Sequence, residues 1–318
     1  KGRSFPKEQD MTTEAKIGLL VPGCFAGTPP SMQDFTQFFR RADELGFDSL
    51  WVIDRIFHDI NILEPMTLLT CAAAVTNRIR LGTSVLLFLF RNPVQLAKTA
   101  ATLDHLSGGR LTLGISLGGR DFEFGPMGID RERRVSRFRE SLALMRKLWT
   151  EDNVTHHGRY YDMDNVTVLP KPVQKPGIPI WFGGSAEGAL KRSAELADGW
   201  VGGGSGDNDA YRQTWQKVKD YAQAAGKDPD SLDSGRLAYV YVDQDREKCR
   251  QALVEFTHAY YGPQYDVDNN CVFGSAEECA AKIQGFIDAG AKTMILGPTW
   301  PDVEQIARIA RDVVPLLK

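Results

Sequence analysis

Three groups of residues have the types and spacing to do chemistry. Gly183-Gly184-Ser185 precedes a helical pattern that opens at Ala186, and Gly202-Gly203-Gly204 follows the next apolar run. Bare backbone ahead of a helix offers unbonded N–H groups, and the helix dipole adds positive potential, so this pair suits a phosphate. Two adjacent glycine clusters exceed what capping needs. The second group is Asp54-Arg55 at the end of an apolar run, with His58 one turn off. Arg55 stays protonated at neutral pH, so it suits an anionic substrate or a developing oxyanion rather than proton shuttling. Arg55 and His58 are the catalytic candidates; the plainer reading is a charged pair at a strand end. The third group, Gly114-Ile115-Ser116-Leu117-Gly118, spells the Gly-x-Ser-x-Gly of a hydrolase nucleophile elbow. An elbow needs a helix directly after the serine, and Gly118-Gly119 and Gly125-Pro126 argue against one.

A scaffold must bring these groups together. Apolar runs at 16–21, 49–53, 79–84, 110–115, 180–182, 199–201, 236–242 and 292–296 read as strands. Helical patterns at 31–45, 65–75, 93–106, 133–149, 186–196, 209–225, 246–260, 276–289 and 303–317 separate them. Ser31 is a helix N-cap, Pro93 sits in a favoured first-turn position, and Ser107-Gly108-Gly109 stops a helix. Eight strands, each followed by a helix, predict an α/β fold of the (β/α)8 TIM-barrel type. An insertion between strands four and five, with a hairpin at 153–168 and a proline-rich connector at 170–179, lies over the C-terminal mouth. A doubly wound open sheet would place Gly-x-Gly-x-x-Gly after an early strand, and none is present. Residues 11–318 read as one domain. The polar residues 1–10, ahead of Met11, read as a leader or tag-like tail. The segment 260–275 reads as irregular, and with residues 85–90 and the 118–131 loop it is expected to wall the pocket at the mouth with aromatic and aliphatic side chains.

A formal charge of −3 gives no reason to expect nucleic acid or an anionic membrane as partner. The apolar runs are too short to span a bilayer. Five cysteines without a Cys-x-x-Cys point to reduced thiols in a cytoplasm. No His/Glu pair stands at zinc spacing, so no metal site is expected. The arginines between 131 and 139 alternate with glutamates and read as a solvated helix face.

Four segments carry a likeness. They are Arg78-Ile79-Arg80-Leu81-Gly82-Thr83-Ser84-Val85, the stretch Ser107-Gly108-Gly109-Arg110 with Leu111-Thr112-Leu113-Gly114-Ile115, Pro170 to Pro176, and Gly183-Gly184-Ser185 leading to Ala197-Asp198-Gly199-Trp200. In order and spacing the chain resembles the bacterial luciferase-like oxidoreductases, which use FMN or a deazaflavin. The resemblance implies a non-prolyl cis peptide at Ser84–Val85 supporting a flat ring. The ring would lie across strands two to four, against Asp54, Ser84, Val85, Leu117 and Gly118. Its phosphate would sit at Gly183, Gly184, Ser185 and Ala186, closed off by Gly202 and Gly203. Two positions depart from the family pattern: Arg55 stands where a histidine often handles protons, and Gly119 where sugar-phosphate dehydrogenases carry a glutamate. Arg120, Asp121 and Glu123 follow without a matching role. The leading expectation is an FMN-dependent monooxygenase of a small organic substrate. The alternative is a coenzyme F420-dependent dehydrogenase or reductase, and a non-catalytic flavin or ligand carrier is third. A separate flavin or F420 reductase and a homodimer are the partners the resemblance implies.

Overall fold

The computed structural model describes residues 15–318, so the leader expected at residues 1–10 lies outside the described residues. Eight parallel strands form the barrel: β1 Lys16–Leu20, β2 Ser49–Val52, β3 Arg80–Thr83, β4 Leu111–Ser116, β5 Ile180–Gly183, β6 Gly199–Gly202, β7 Asp233–Val242 and β8 Thr293–Gly297. Each pairs with the next, and β8 returns to β1 with Lys16 opposite Thr293 and Leu19 opposite Leu296. The pairing of β4 with β5 bridges the insertion and completes the ring. A closed barrel, not an open sheet, is therefore the fold.

The helices are α1 Met32–Glu44, α2 Pro65–Val75, α3 Pro93–Ser107, α4 Arg134–Thr150, α5 Glu187–Leu196, α6 Asn208–Ala224, α7 Arg246–Tyr261, α8 Ala276–Asp288 and α9 Val303–Arg308. Their ends follow local chemistry. Ser31 and Asp34 form a reciprocal capping box on α1, and Asn92 caps α3 ahead of Pro93. Gly108, at φ +71°, ends α3 in the left-handed conformation. Two expectations differ. The last helix is not continuous to 317: it passes into a π-turn at Ile309–Val313 and a 3₁₀ turn at Val314–Leu316, because Pro315 has no N–H to continue the ladder. The segment 260–275 is not all irregular; it holds a helical turn, Val267–Asn270, and a strand, Val272–Gly274, that pairs with the end of β7. Three residues are too few for a periodic signal. The insertion carries the expected hairpin, Val154–His157 against Asp162–Val166.

Apolar residues pack in two places. The outer set fills the space between strands and helices, and the inner set fills the barrel. Inside, Trp51 and Trp181 meet at 5.1 Å. Their rings need bare backbone on neighbouring strands. A Cβ at Gly82 would lie 2.4 Å from Trp51, and one at Gly235 would lie 2.8 Å from Trp181. Two residues further along β2 and β7, on the same face, come Ile53 and Leu237. The tryptophans thus form the floor beneath the C-terminal mouth.

Three of the four family-like segments meet at the opposite, N-terminal face. Arg110 donates to the carbonyls of Ser107 (2.7 Å), Ile79 (2.7 Å), Thr76 (3.0 Å) and Ala73 (3.3 Å), tying α2, α3 and β3 together. Buried Asp104 accepts the amides of Val173 (2.8 Å) and Gln174 (3.1 Å), clasping the proline-rich connector. These signatures hold the barrel closed rather than touch a ligand, in keeping with the division of labour between barrel faces. Arg110→Ala should lower unfolding free energy by about 2–4 kcal/mol in urea titrations, since it strands several carbonyls that accept from a cation. Ligand binding at the far face should be unchanged.

Candidate active site

At the C-terminal face the strand ends enclose a cavity of about 350 Å³. Ile53, Asp54 and Arg55 after β2, Ser84 and Val85 after β3, and Ser116, Gly118 and Gly119 after β4 form one side. Gly203 and Gly204 after β6, Leu237 on β7, and Tyr260 and Tyr261 at the end of α7 form the other. The volume and mixed lining are those of a small-molecule site.

The first side is shaped by one close approach. The Thr83 carbonyl lies 1.9 Å from where a Cβ on Gly114 would stand, and Thr83 Oγ1 donates to the Gly114 carbonyl at 2.7 Å. The Ser84–Val85 peptide is cis, as the resemblance implies. The Val85 side chain lies against the bare faces of Gly114 and Gly183, whose Cβ positions would be 3.3 and 2.9 Å from it. Asp54 is buried and its Oδ2 is engaged: it accepts the Leu87 amide at 2.8 Å and pairs with Arg91 at 2.5 Å. It lines the cavity, while its charge anchors the chain that follows Val85. Gly114 therefore serves strand packing, and no α-helix follows Ser116 as a nucleophile elbow would require.

The second side is a loop pinned from behind. Buried Arg236 donates to the carbonyls of Gly203, Ser205 (2.9 Å) and Gly206, and its guanidinium lies over the Phe286 ring at 4.5 Å. Burial pulls its pKa down to about 10, against the opposing pull of Tyr265, Tyr211 and Tyr261, so it stays charged at neutral pH. The Tyr265 hydroxyl donates to the Gly204 carbonyl. With those carbonyls held inward, the planar peptide turns the amides of Gly204 and Ser205 the other way. A Cβ on Gly203 would meet nothing within 4 Å. Next to this loop, α5 starts at Ala186 without any side-chain cap, and Gly184, at φ +119°, has its carbonyl held by Trp200 Nε1 at 3.0 Å.

The polar end of the cavity belongs to Arg55. Its guanidinium is bonded to Tyr260 and faces Glu123 Oε2 at 3.5 Å. Burial pushes its pKa down, but Tyr260, Glu123 and Tyr261 together outweigh that and the net shift is upward. Burial likewise raises Tyr260 and Tyr261, so both remain neutral phenols. Glu123 is fully buried; Oε2 also accepts the Arg120 amide, while Oε1 has no partner. The carboxylate occupies the space a side chain at position 119 would enter: a Cβ there would lie 1.5 Å from Oε2. His58 lies outside the cavity lining, and both its nitrogens are engaged. Nδ1 accepts the Ile60 amide at 3.3 Å, so Nε2 carries the hydrogen toward the Tyr260 carbonyl at 3.0 Å.

The structure thus brings Asp54, Arg55, Ser84, Val85, Gly118 and Gly203 together on one cavity. Leu117 packs into the outer core, and Gly202 is buried beneath Trp200 and Tyr211. Gly183, Gly184, Ser185 and Ala186 lie beside the cavity at the start of α5 rather than in its lining. Sequence reasoning named the segments 118–131 and 260–275 as pocket walls without singling out Tyr260, Tyr261 or the placement of Glu123, and it missed Leu237. The tyrosine doublet closing a helix was the available signal; the Gly119–Glu123 fit has none in one dimension. Gly114→Ala should cost about 3 kcal/mol or more in urea unfolding, because backbone cannot yield the space. Gly203→Ala should cost less than about 0.5 kcal/mol, as surface changes usually do.

Comparison with known proteins agrees with this architecture. The luciferase-like monooxygenase family model matches residues 15–269. An F420-dependent glucose-6-phosphate dehydrogenase from Kineococcus radiotolerans is 28% identical over 320 aligned positions, covering 91% of this chain and 94% of the relative. Among solved structures, an F420-dependent secondary alcohol dehydrogenase in complex with an F420-acetone adduct superposes with TM-score 0.84 at 22% identity, covering 96% of this chain and all of the other. The oxygenating constituent of 3,6-diketocamphane monooxygenase from Pseudomonas putida, in complex with FMN, gives TM-score 0.81 at 20% identity, covering 96% and 99%. At those identities the two structures speak for the fold. The family match spans most of the chain, and the chain belongs to the luciferase-like monooxygenase family.

Proposed function

We propose that the chain is a coenzyme F420-dependent oxidoreductase that moves a hydride to or from a small organic substrate without oxygen. The observation that carries this is the bare main chain facing one cavity, in a chain similar along nine-tenths of its length to a deazaflavin enzyme. The residues present fit such a group. Gly118 lines the cavity at φ +136°, a conformation that favours glycine, and a Cβ there would come within 3.3 Å of both the Phe90 and Phe124 rings. The outward amides of Gly204 and Ser205, with the uncapped start of α5, suit a phosphate. Ser84, Val85 and Gly118 would hold the ring.

When bound, the deazaflavin supplies hydride exchange, and the protein supplies position and electrostatics. Ile53, Val85 and Leu237 make the apolar wall that keeps water from the reacting carbon. Arg55 keeps its charge throughout the working pH range and stabilises negative charge on a substrate oxygen. Tyr260 and Tyr261, as neutral phenols, hold hydrogen bonds without yielding their protons. With Arg55 and Gly119 in place of the histidine and glutamate the resemblance led us to expect, the substrate is something other than glucose 6-phosphate. A separate reductase that regenerates the cofactor, a homodimeric assembly and a reducing cytoplasmic setting belong to this proposal. The described residues hold five free thiols and no helix long and apolar enough to cross a membrane.

FMN-dependent oxygenation is the second reading. It is favoured by the lack of a proton-exchanging side chain at positions 55 and 119, which oxidation of an alcohol would call on. Titration of the purified protein with each cofactor separates the two. F420 should bind at least tenfold more tightly than FMN by fluorescence quenching. Gly203→Val, whose side chain has room, should weaken F420 by tenfold or more with an unchanged melting temperature. Tighter binding of FMN, with substrate-dependent oxygen uptake, would overturn the F420 reading.

A further inference from the structure

The charges at the polar end of the cavity do not balance. Arg55 and Arg120 both line it, and Glu123 is the one carboxylate against them. The other lining carboxylate, Asp54, is paired through Oδ2 with Arg91, which also holds Glu64 outside the cavity at 3.2 Å. Arg120 is exposed, and among the described residues no carboxylate lies within ion-pair reach of its side chain. Two cations therefore face one anion.

The arrangement is also built rather than incidental. A fully buried carboxylate with one oxygen unpartnered is costly, and a surface arginine needs no such support. Here Glu123 stands behind Arg55 and Tyr260 bonds it from the side, so the guanidinium is fixed in the cavity wall, presenting its remaining donors inward. A preorganised guanidinium is the side chain best matched to a carboxylate or other planar oxyanion. Apolar and aromatic side chains, Ile53, Val85, Leu237 and Tyr260 among them, line the same cavity.

We propose that Arg55 and Arg120 form a subsite for a single anionic group, and that the substrate is a small carboxylate-bearing molecule with an apolar or aromatic body. This rests on the reading that the redox ring lies against Ser84, Val85 and Gly118, beside this polar end of the same cavity. The same anion chemistry could instead come from an acidic group of the cofactor, and the test separates the two sources.

Calorimetric titration of benzoate and of benzyl alcohol, a neutral analogue of similar size, is carried out on the protein with and without bound F420. Benzoate should bind both forms with similar affinity, at least tenfold more tightly than benzyl alcohol, and should weaken with added salt. Arg55→Gln and Arg120→Gln should each weaken benzoate by tenfold or more and leave benzyl alcohol unchanged. Arg120 is exposed, so that variant reports even if removing Arg55 disturbs Glu123. Equal binding of the two probes, an Arg120→Gln protein with unaltered benzoate affinity, or displacement of benzoate by F420 would each overturn the subsite. Arginine-dependent benzoate binding in a protein that takes up no F420 would uphold the subsite and count against the cofactor reading alone.

Discussion

The Thr83 carbonyl occupies the space in which a side chain at position 114 would begin, and the site is arranged around that contact. It brings the end of β3 onto β4 more closely than two ordinary strands allow. Thr83 Oγ1 fixes the approach by donating to the Gly114 carbonyl. Val85 then seats against two bare glycines, and Asp54 anchors the following turn through the Leu87 amide and Arg91. Beside them, Gly118 and Gly119 after β4 and Gly203 and Gly204 after β6 bring bare main chain to the cavity. Gly114 and Gly183 thus serve the seating of Val85, while Val85 itself and Gly118 line the cavity.

The two faces of the barrel divide the work. At the N-terminal face, Arg110, Asp104 and Gln174 tie helices, strands and the proline-rich connector into one clasp. Between the faces, Trp51 and Trp181 fill the interior and need glycines opposite them. At the C-terminal face the chain gives up packing in favour of a cavity, with buried Arg236 pinning one loop by its carbonyls and buried Glu123 backing Arg55. A barrel stabilised at one end can carry such costs at the other.

The barrel was legible because its signals are local. Alternating apolar runs, a serine cap, prolines in first turns and a glycine stop each act within a few residues, and together they set eight strands and their helices. The glycine clusters and the Ser84–Val85 position were legible through the family likeness. What could not be read depends on contacts distant in sequence. Nothing near Glu123 announces that its carboxylate fills the space left by Gly119, or that Arg55, 68 residues earlier, faces it. Tyr260 reaches the cavity only because α7 ends over the mouth. His58 looked available for chemistry until its two ring nitrogens were found on backbone partners. Gly183 read as a phosphate residue, yet its open face is taken by Val85.

In the proposed complex a planar redox ring lies on the main chain around Ser84–Val85 and Gly118, with Arg55 and Arg120 at the polar end of the same cavity. A crystal structure of the protein with F420 bound tests this most directly. The ring should lie between Ser84–Val85 and Gly118, with its phosphate on the amides of Gly204 and Ser205 or at the start of α5. A ring seated outside the barrel mouth, or a phosphate gripped by Arg55 and Arg120, would contradict it.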